Sequence, residues 1–312
     1  MQKLAIIIGP TAVGKTNLAL KIASLVDAEI ISGDSMQVYR GMDIGTAKIK
    51  SNEMFIGGRF IPHHLIDILE ASDSYNVSRF QIEAKSKIAE INERHKIPLI
   101  VGGTGLYIQS IIDPYEFTEE ERDEEYRLQL NTMAEAYGRE HLHDMLAKID
   151  SISAQKIHPH NLKRVIRALE VYHITGKPIS FFHKVGKDYK QLYNLSFFGL
   201  NMEREALYQK IEDRVDKMIS NGLVNEVSGL LAQENKPSLT ALQALGYKEI
   251  NTFLKDECTL PEAIAKIKLE TKKFAKRQYT WFKRDQRIKW YNVTKDTNWE
   301  KIALEISLEI AG

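Results

Sequence analysis

Lys15, Thr16 and Asp34 have the types and the spacing to do chemistry together. Lys15 and Thr16 close the run Gly9-Pro10-Thr11-Ala12-Val13-Gly14-Lys15-Thr16, which fits G-x-x-x-x-G-K-[ST], the phosphate-binding loop of nucleotide-binding and ATP-binding chains. Gly9 and Gly14 let the backbone fold back and aim N–H groups at an anion. Lys15 adds a mobile positive charge, and the Thr16 hydroxyl is the expected ligand of Mg²⁺. A Gly-rich turn that matched by chance would need no strand before it and no helix after it. Here the apolar run Leu4–Ile8 precedes the loop, and a helical pattern from Asn17 to Leu25 follows. The loop implies a diphosphate or triphosphate without saying which molecule carries it.

Asp34 follows the short apolar stretch Glu29-Ile30-Ile31-Ser32-Gly33, which reads as a buried strand. In an open parallel sheet, ligands sit beyond the carboxyl ends of the strands, where the phosphate loop also lies. Asp34 is therefore expected in the same crevice as Lys15, against the plainer reading of a loop or helix-capping aspartate. Pro98-Leu99-Ile100-Val101 is another strand, and it ends in Gly102-Gly103-Thr104-Gly105. An ATPase or GTPase of this class usually ends such a strand in a Mg²⁺-holding aspartate. Glycines stand there instead, and the strand-end carboxylate is Asp34.

The elements that must position these residues follow from the pattern along the chain. With 312 residues, 43% hydrophobic and 27% charged, the composition is that of an ordinary globular protein. No apolar run approaches the ~20 residues of a membrane span. A strand begins at once with no signal-peptide layout, and the lone Cys258 supports neither a disulfide framework nor a cysteine zinc site. The expected compartment is the cytoplasm. Net charge is +1, so any polyanion surface must come from uneven charge placement.

Residues 37–48 are punctuated by glycines, carry Arg40 and Lys48, and are expected as a loop over the site. His63 and His64 lack Cys or Glu at ligand spacing and are expected as satisfied histidines beside a strand. Ser78–Arg94 has helical period, with Ser78 as its cap. From Asp113 the texture changes: an acidic run, then helical segments to about Thr175. Sheet character returns at Tyr193–Leu200, then a long helical pattern covers Arg204–Leu231, and Gln243–Leu254 holds Leu245-Gly246-Tyr247-Lys248-Glu249.

The expected fold is α/β, with a phosphate-loop NTPase-like parallel sheet core built from 1–116 and 191–312. An all-helical domain, 117–190, is inserted in it. Lys163 and Arg167 lie four apart on one helix face of that insertion, with Arg164 beside them. Lys272–Lys289 has eight basic residues against one acid, Asp285, with Phe274, Tyr279, Trp281 and Phe282 interleaved. Phe274, Gln278 and Trp281 share a helix face, which leaves Lys273, Lys276, Arg277, Lys283 and Arg284 on others. Local basicity in a near-neutral chain is the footprint of a nucleic-acid surface, with a solvated helix as the plainer reading.

Several stretches together resemble the tRNA dimethylallyltransferases, the bacterial isopentenyltransferases that modify tRNA. They are the loop Gly9–Thr16, Ser32–Tyr39, Gly41–Lys48, Pro62–Asp67, Val101–Tyr107, Arg167–Val171, Gly246-Tyr247 and Ala275–Trp281. One departure is that Ile49 follows Lys48 where the family often has proline. The resemblance implies transfer of a dimethylallyl group from its diphosphate to N6 of the adenosine beside the anticodon. It also implies Mg²⁺ and a flipped-out target base; the enzyme is expected to be a monomer with no membrane partner.

In that scheme Lys15, Thr16 and Arg214 hold the leaving diphosphate, and Asp34 accepts the amino proton. Thr104 holds the tRNA near the site. Asp34, Ser35, Met36 and Gln37, the segment Lys163-Arg164-Val165-Ile166-Arg167, and Arg127 match tRNA-contact positions, with Lys276 and Arg277 on the basic helix. Two other classes compete. A small-molecule kinase would use Asp34 as base toward a hydroxyl, but it has no need of the insertion or the basic helix. A nucleotide-gated RNA-binding switch would need the strand-end Mg²⁺ aspartate that is absent here.

Overall fold

The computed structural model describes residues 1–114, 123–182 and 192–312. Within them the chain falls into two compact units, Met1–Ile112 with Gln191–Gly312, and Asp113–Lys190.

The first unit is built on strands β1 (Lys3–Ile8), β2 (Ala28–Gly33), β3 (Phe55–Ile56), β4 (Arg59–Phe60), β5 (His63–His64), β6 (Ile97–Gly102), β7 (Asn194–Met202) and β8 (Lys289–Val293). Strands β3 and β4 form a small hairpin. The other six form one sheet in the order β5-β2-β6-β1-β7-β8, with every pairing parallel. Parallel strands are covered on both faces, which is why β1 and β6 read as apolar runs rather than alternating ones. Ile8 lies opposite Gly102, and Gly33 lies opposite the same Gly102. The residues that leave these three strands, Gly9, Asp34 and Gly103, therefore emerge side by side at the carboxyl edge.

Helices α1 (Lys15–Leu25), α2 (Val77–Glu93) and α3 (Gly105–Ile112) follow β1, the β5 region and β6. In the second unit come α4 (Glu124–Tyr137), α5 (Arg139–Ile149), α6 (Ser151–Lys156), α7 (Leu162–Thr175) and α8 (Ile179–Phe182). Back in the first unit are α9 (Arg204–Ser220), α10 (Leu223–Ala232), α11 (Leu239–Leu242), α12 (Tyr247–Leu254), α13 (Leu260–Phe282) and α14 (Trp299–Ala311). Alternate residues of β1 feed two cores. Leu4, Ile6 and Ile8 pack with Phe80 and Ile88 of α2 and Ile108 of α3. Ala5 and Ile7 pack with Leu18 and Ile22 of α1, Ile211 of α9 and Ile306 of α14. The second unit has its own core, with Leu130, Leu142, Leu146 and Val165 among its members. Among the described residues no helix is long and apolar enough to cross a membrane.

Two local expectations are corrected. The Arg204–Leu231 pattern is two helices, because Gly222, at φ 98°, turns the chain and starts α10. The cap of α2 is Asn76, whose side chain accepts from the Arg79 amide, rather than Ser78. The basic run sits in the second half of α13, whose head is a reciprocal capping box of Thr259 and Glu262.

Candidate active site

The phosphate loop joins β1 to α1. Gly14 sits at φ 107° and starts α1 with no side-chain cap, leaving the first helical N–H groups open to an anion. A Cβ on Gly14 would come within 2.8 Å of the Trp299 ring, so position 14 is restricted both by its backbone and by α14. Lys15 folds back over the loop, its Nζ donating to the Gly9 carbonyl at 2.9 Å and the Pro10 carbonyl at 2.8 Å. Burial and then the Arg214 guanidinium lower the Lys15 ammonium to about 7, with Asp34 opposing them.

Asp34 leaves the end of β2, and its Oδ1 accepts from the Met36 amide at 2.8 Å. That turn fixes the carboxylate while it lines two adjoining cavities. One, of about 110 Å³, is polar and includes Lys15, Thr16, Asp34, His63 and Arg214. The other, of about 330 Å³, has walls from Val215, Met218, Leu245 and Ile267, and its polar lining includes Ser35, Thr104 and Arg277. Thr11, Asp34, Thr46, Arg214 and Phe274 belong to both. A polar compartment with two cations thus meets a larger, more apolar one at a single carboxylate. Burial lowers Arg214 from its ordinary value and Asp34 opposes the shift, but a guanidinium remains charged at any working pH.

The loop over the site is held by two ionic fixtures. Glu226 of α10 accepts from the amides of Asp43 (3.0 Å), Ile44 (2.8 Å) and Gly45 (3.2 Å), and from the Tyr247 hydroxyl at 2.5 Å. Lys48 is buried and donates to Asp43 at 2.6 Å, Asp67 at 2.5 Å and the Tyr39 carbonyl at 2.7 Å. Between these anchors Thr46 and Ala47 face the polar cavity, and Gln37 joins them by accepting from Ser32 at 2.9 Å. Lys48 is thus structural rather than a ligand-facing cation.

The two histidines behave differently. His64 bonds Glu29 at 2.7 Å. Burial would raise Glu29, but hydrogen bonds from His64, Arg94 and Lys96 hold it at about 2. His63 departs from the expectation of a satisfied ring. Its Nδ1 lies 2.8 Å from the Ile61 carbonyl and must donate there, while its Nε2 is buried with no partner. Burial lowers its pKa, so Nε2 is a bare acceptor in a residue that lines the polar cavity. No group of three or more His, Cys, Asp or Glu side chains able to hold a metal occurs among the described residues.

The remaining expected positions divide by unit. Ser35, Met36, Gln37, Thr104 and Arg277 gather around the two cavities of the first unit, while Lys276 is exposed on α13 and lines neither. In the loop, Val13 is buried in the core and serves packing. In the second unit Lys163 and Arg164 are exposed on α7. Val165 and Ile166 are buried in that unit's core, so their side chains are unavailable to a polyanion and only their backbone could meet one. Arg127 and Arg167 both bond the fully buried Glu170, Arg127 through Nε at 2.6 Å and Nη2 at 2.9 Å, and Arg167 at 2.7 Å. Glu226, His63 and Gln278 are the site-shaping residues that sequence reasoning did not assign. The only signal for Gln278 was its helix face shared with Phe274 and Trp281.

Comparison with known proteins points to one family. Residues 37–285 match the IPP transferase family, and residues 2–61 match an isopentenyl transferase family. A tRNA dimethylallyltransferase of Carboxydothermus hydrogenoformans is 56% identical, over 99% of this chain and 97% of its own length. The tRNA dimethylallyltransferase of Bacillus subtilis is 46% identical, over 100% and 97%. The crystal structure of a tRNA isopentenylpyrophosphate transferase from Bacillus halodurans aligns with TM-score 0.74 at 44% identity, over 100% of this chain and 96% of that one. A eukaryotic dimethylallyltransferase acting on tRNA aligns with TM-score 0.82 at 30% identity, over 100% and 79%. A family match across most of the chain and relatives this similar over nearly its full length place it: the chain belongs to the IPP transferase family.

Proposed function

We infer that this protein transfers a dimethylallyl group from dimethylallyl diphosphate to N6 of the adenosine beside the anticodon in tRNA. The observation that carries the reading is Asp34 lying at the junction of a cationic, phosphate-loop cavity and a larger one lined by Thr104 and Arg277. The diphosphate occupies the first, held by the loop amides, Lys15 and Arg214. The extruded adenine enters the second, past Thr104 and Met36. N6 attacks the first carbon of the dimethylallyl group. That carbon's bond to the diphosphate oxygen breaks, and the electron pair leaves with the diphosphate. Lys15 and Arg214 stabilise the charge that develops there. Asp34 accepts the proton that N6 gives up. ATP is not required, because the leaving group is already on the donor.

The residues present fit a hydrated Mg²⁺: the Thr16 hydroxyl is a hard oxygen donor in the lining of the polar cavity. A cation that keeps several of its waters needs few ligands from the protein. Thr16 would ligate the ion. When bound, Mg²⁺ would neutralise charge on the leaving group.

On the tRNA side, Lys163 and Arg164 on the second unit and Lys276 and Arg277 on the first are the phosphate contacts. Arg127 and Arg167 have their main contacts with Glu170 and contribute the donors left over. We place the enzyme in the cytoplasm, working as a monomer. The test is incubation with dimethylallyl diphosphate, Mg²⁺ and unmodified tRNA, followed by nucleoside mass analysis. An adenosine that gains one five-carbon unit supports the reading. Transfer of the γ-phosphate of ATP, with no such adenosine, would establish a kinase instead.

A further inference from the structure

Among the side chains that helix α13 sends into the site, Gln278 is an uncharged one that bonds two loops at once. Gln278 is buried, and its Oε1 accepts from the Thr11 amide of the phosphate loop at 2.9 Å. Its Nε2 donates to the Gly103 carbonyl, at the end of β6, at 3.1 Å. The amide orientation is set by the partners, since one is an N–H and the other a C=O. These contacts span 267 and 175 residues of sequence. A Cβ on Gly103 would lie 2.1 Å from Nε2, so any side chain at position 103 would push the Gln278 amide out of this place. One turn to either side, Phe274 lines both cavities and Trp281 packs on Gly105.

We propose that Gln278 is a positioning residue: it sets the spacing between the phosphate loop, which holds the donor, and the Gly103-Thr104 loop, which holds the acceptor. The proposal rests on the transferase reading given above. Its physical content is narrow. The buried side chain must present one acceptor and one donor at once, to two backbone loops that follow different strands. No apolar residue does either, and a carboxylate does only the first. Gln278 touches neither reacting atom and acts through the two loops. A misplacement of about 1 Å between reacting groups costs on the order of 10²-fold in rate.

The test compares Gln278→Met and Gln278→Glu with the parent enzyme in single-turnover transfer to tRNA, alongside tRNA affinity. Gln278→Met keeps the volume and loses both bonds. Its transfer rate should fall about 10- to 100-fold at saturating donor, with tRNA affinity within about twofold of the parent. Gln278→Glu keeps the bond from Thr11. As a carboxylate it faces the Gly103 carbonyl with no proton to give, and as a carboxylic acid it donates again. Its rate relative to the parent should therefore climb as pH falls from about 8 to 6, because burial raises a carboxyl pKa. If Gln278→Met does not fold, this pH ratio alone decides the matter. A parent-like rate for Gln278→Met, or a pH-independent ratio for Gln278→Glu, would overturn the proposal. A parent that makes no prenylated adenosine would instead sink the transferase reading.

Discussion

At the scale of single residues, the site is an arrangement of charge around one carboxylate. The phosphate loop and Asp34 were legible in sequence because each depends on local spacing: a fixed motif, and a residue just past a strand. What was not legible is the state of the groups. Lys15 is depressed to about 7 by burial and by Arg214, neither of which sequence spacing reveals. An incoming diphosphate restores the charged form, so its binding should draw in a proton above that pH. The sign follows directly. With the free-state pKa lowered and the bound-state pKa raised, affinity is at its full value below about 7. It then falls with rising pH, by at most about tenfold per unit. Calorimetry of inorganic diphosphate binding near pH 8 in buffers of different ionisation enthalpy measures the uptake. Close to one proton is expected, and no uptake would mean that Lys15 is already charged in the free site.

At the scale of elements, strands and helices were readable wherever period and composition agreed, as for β1, β2, β6 and α2. The Arg204–Leu231 stretch was read as one helix because its apolar spacing runs through Gly222, while the backbone turns there. The site loop was recognised as a loop, but its anchor was not, since Glu226 lies 183 residues beyond the Asp43 amide it receives. Such contacts leave no periodic trace in a single sequence. Removing that carboxylate leaves three amides and the Tyr247 hydroxyl without their acceptor. Glu226→Ala should lower stability by about 1–2 kcal/mol, in the range for unpaired polar groups. It should also speed hydrogen exchange at Asp43, Ile44 and Gly45. Unchanged exchange at those amides would show that the loop is held by other means.

At the scale of the whole molecule, the near-neutral net charge concealed two local basic surfaces, and the structure sorts their members. Lys163 and Arg164 are exposed, whereas Arg167 is committed to Glu170. A burial pattern of that kind needs the packed core of the second unit and is not written in the spacing of one helix. Neutralising Lys163 with Arg164, or Lys276 with Arg277, should weaken tRNA binding and flatten its salt dependence, by about 0.7–0.9 log units per log unit of salt for each lost contact. Affinity for dimethylallyl diphosphate should stay nearly constant in the Lys163 and Arg164 variant, because neither residue lines the polar cavity. Parent-like slopes in both double variants would mean that the tRNA surface lies elsewhere. The central claim is that the chemistry happens where the two cavities share Asp34. Its most direct measurement is single-turnover transfer to tRNA by Asp34→Asn, with tRNA affinity measured in parallel. Transfer should slow by about 10²- to 10⁴-fold while tRNA binding is kept. Transfer at the parent rate would contradict the claim and remove Asp34 from the reaction.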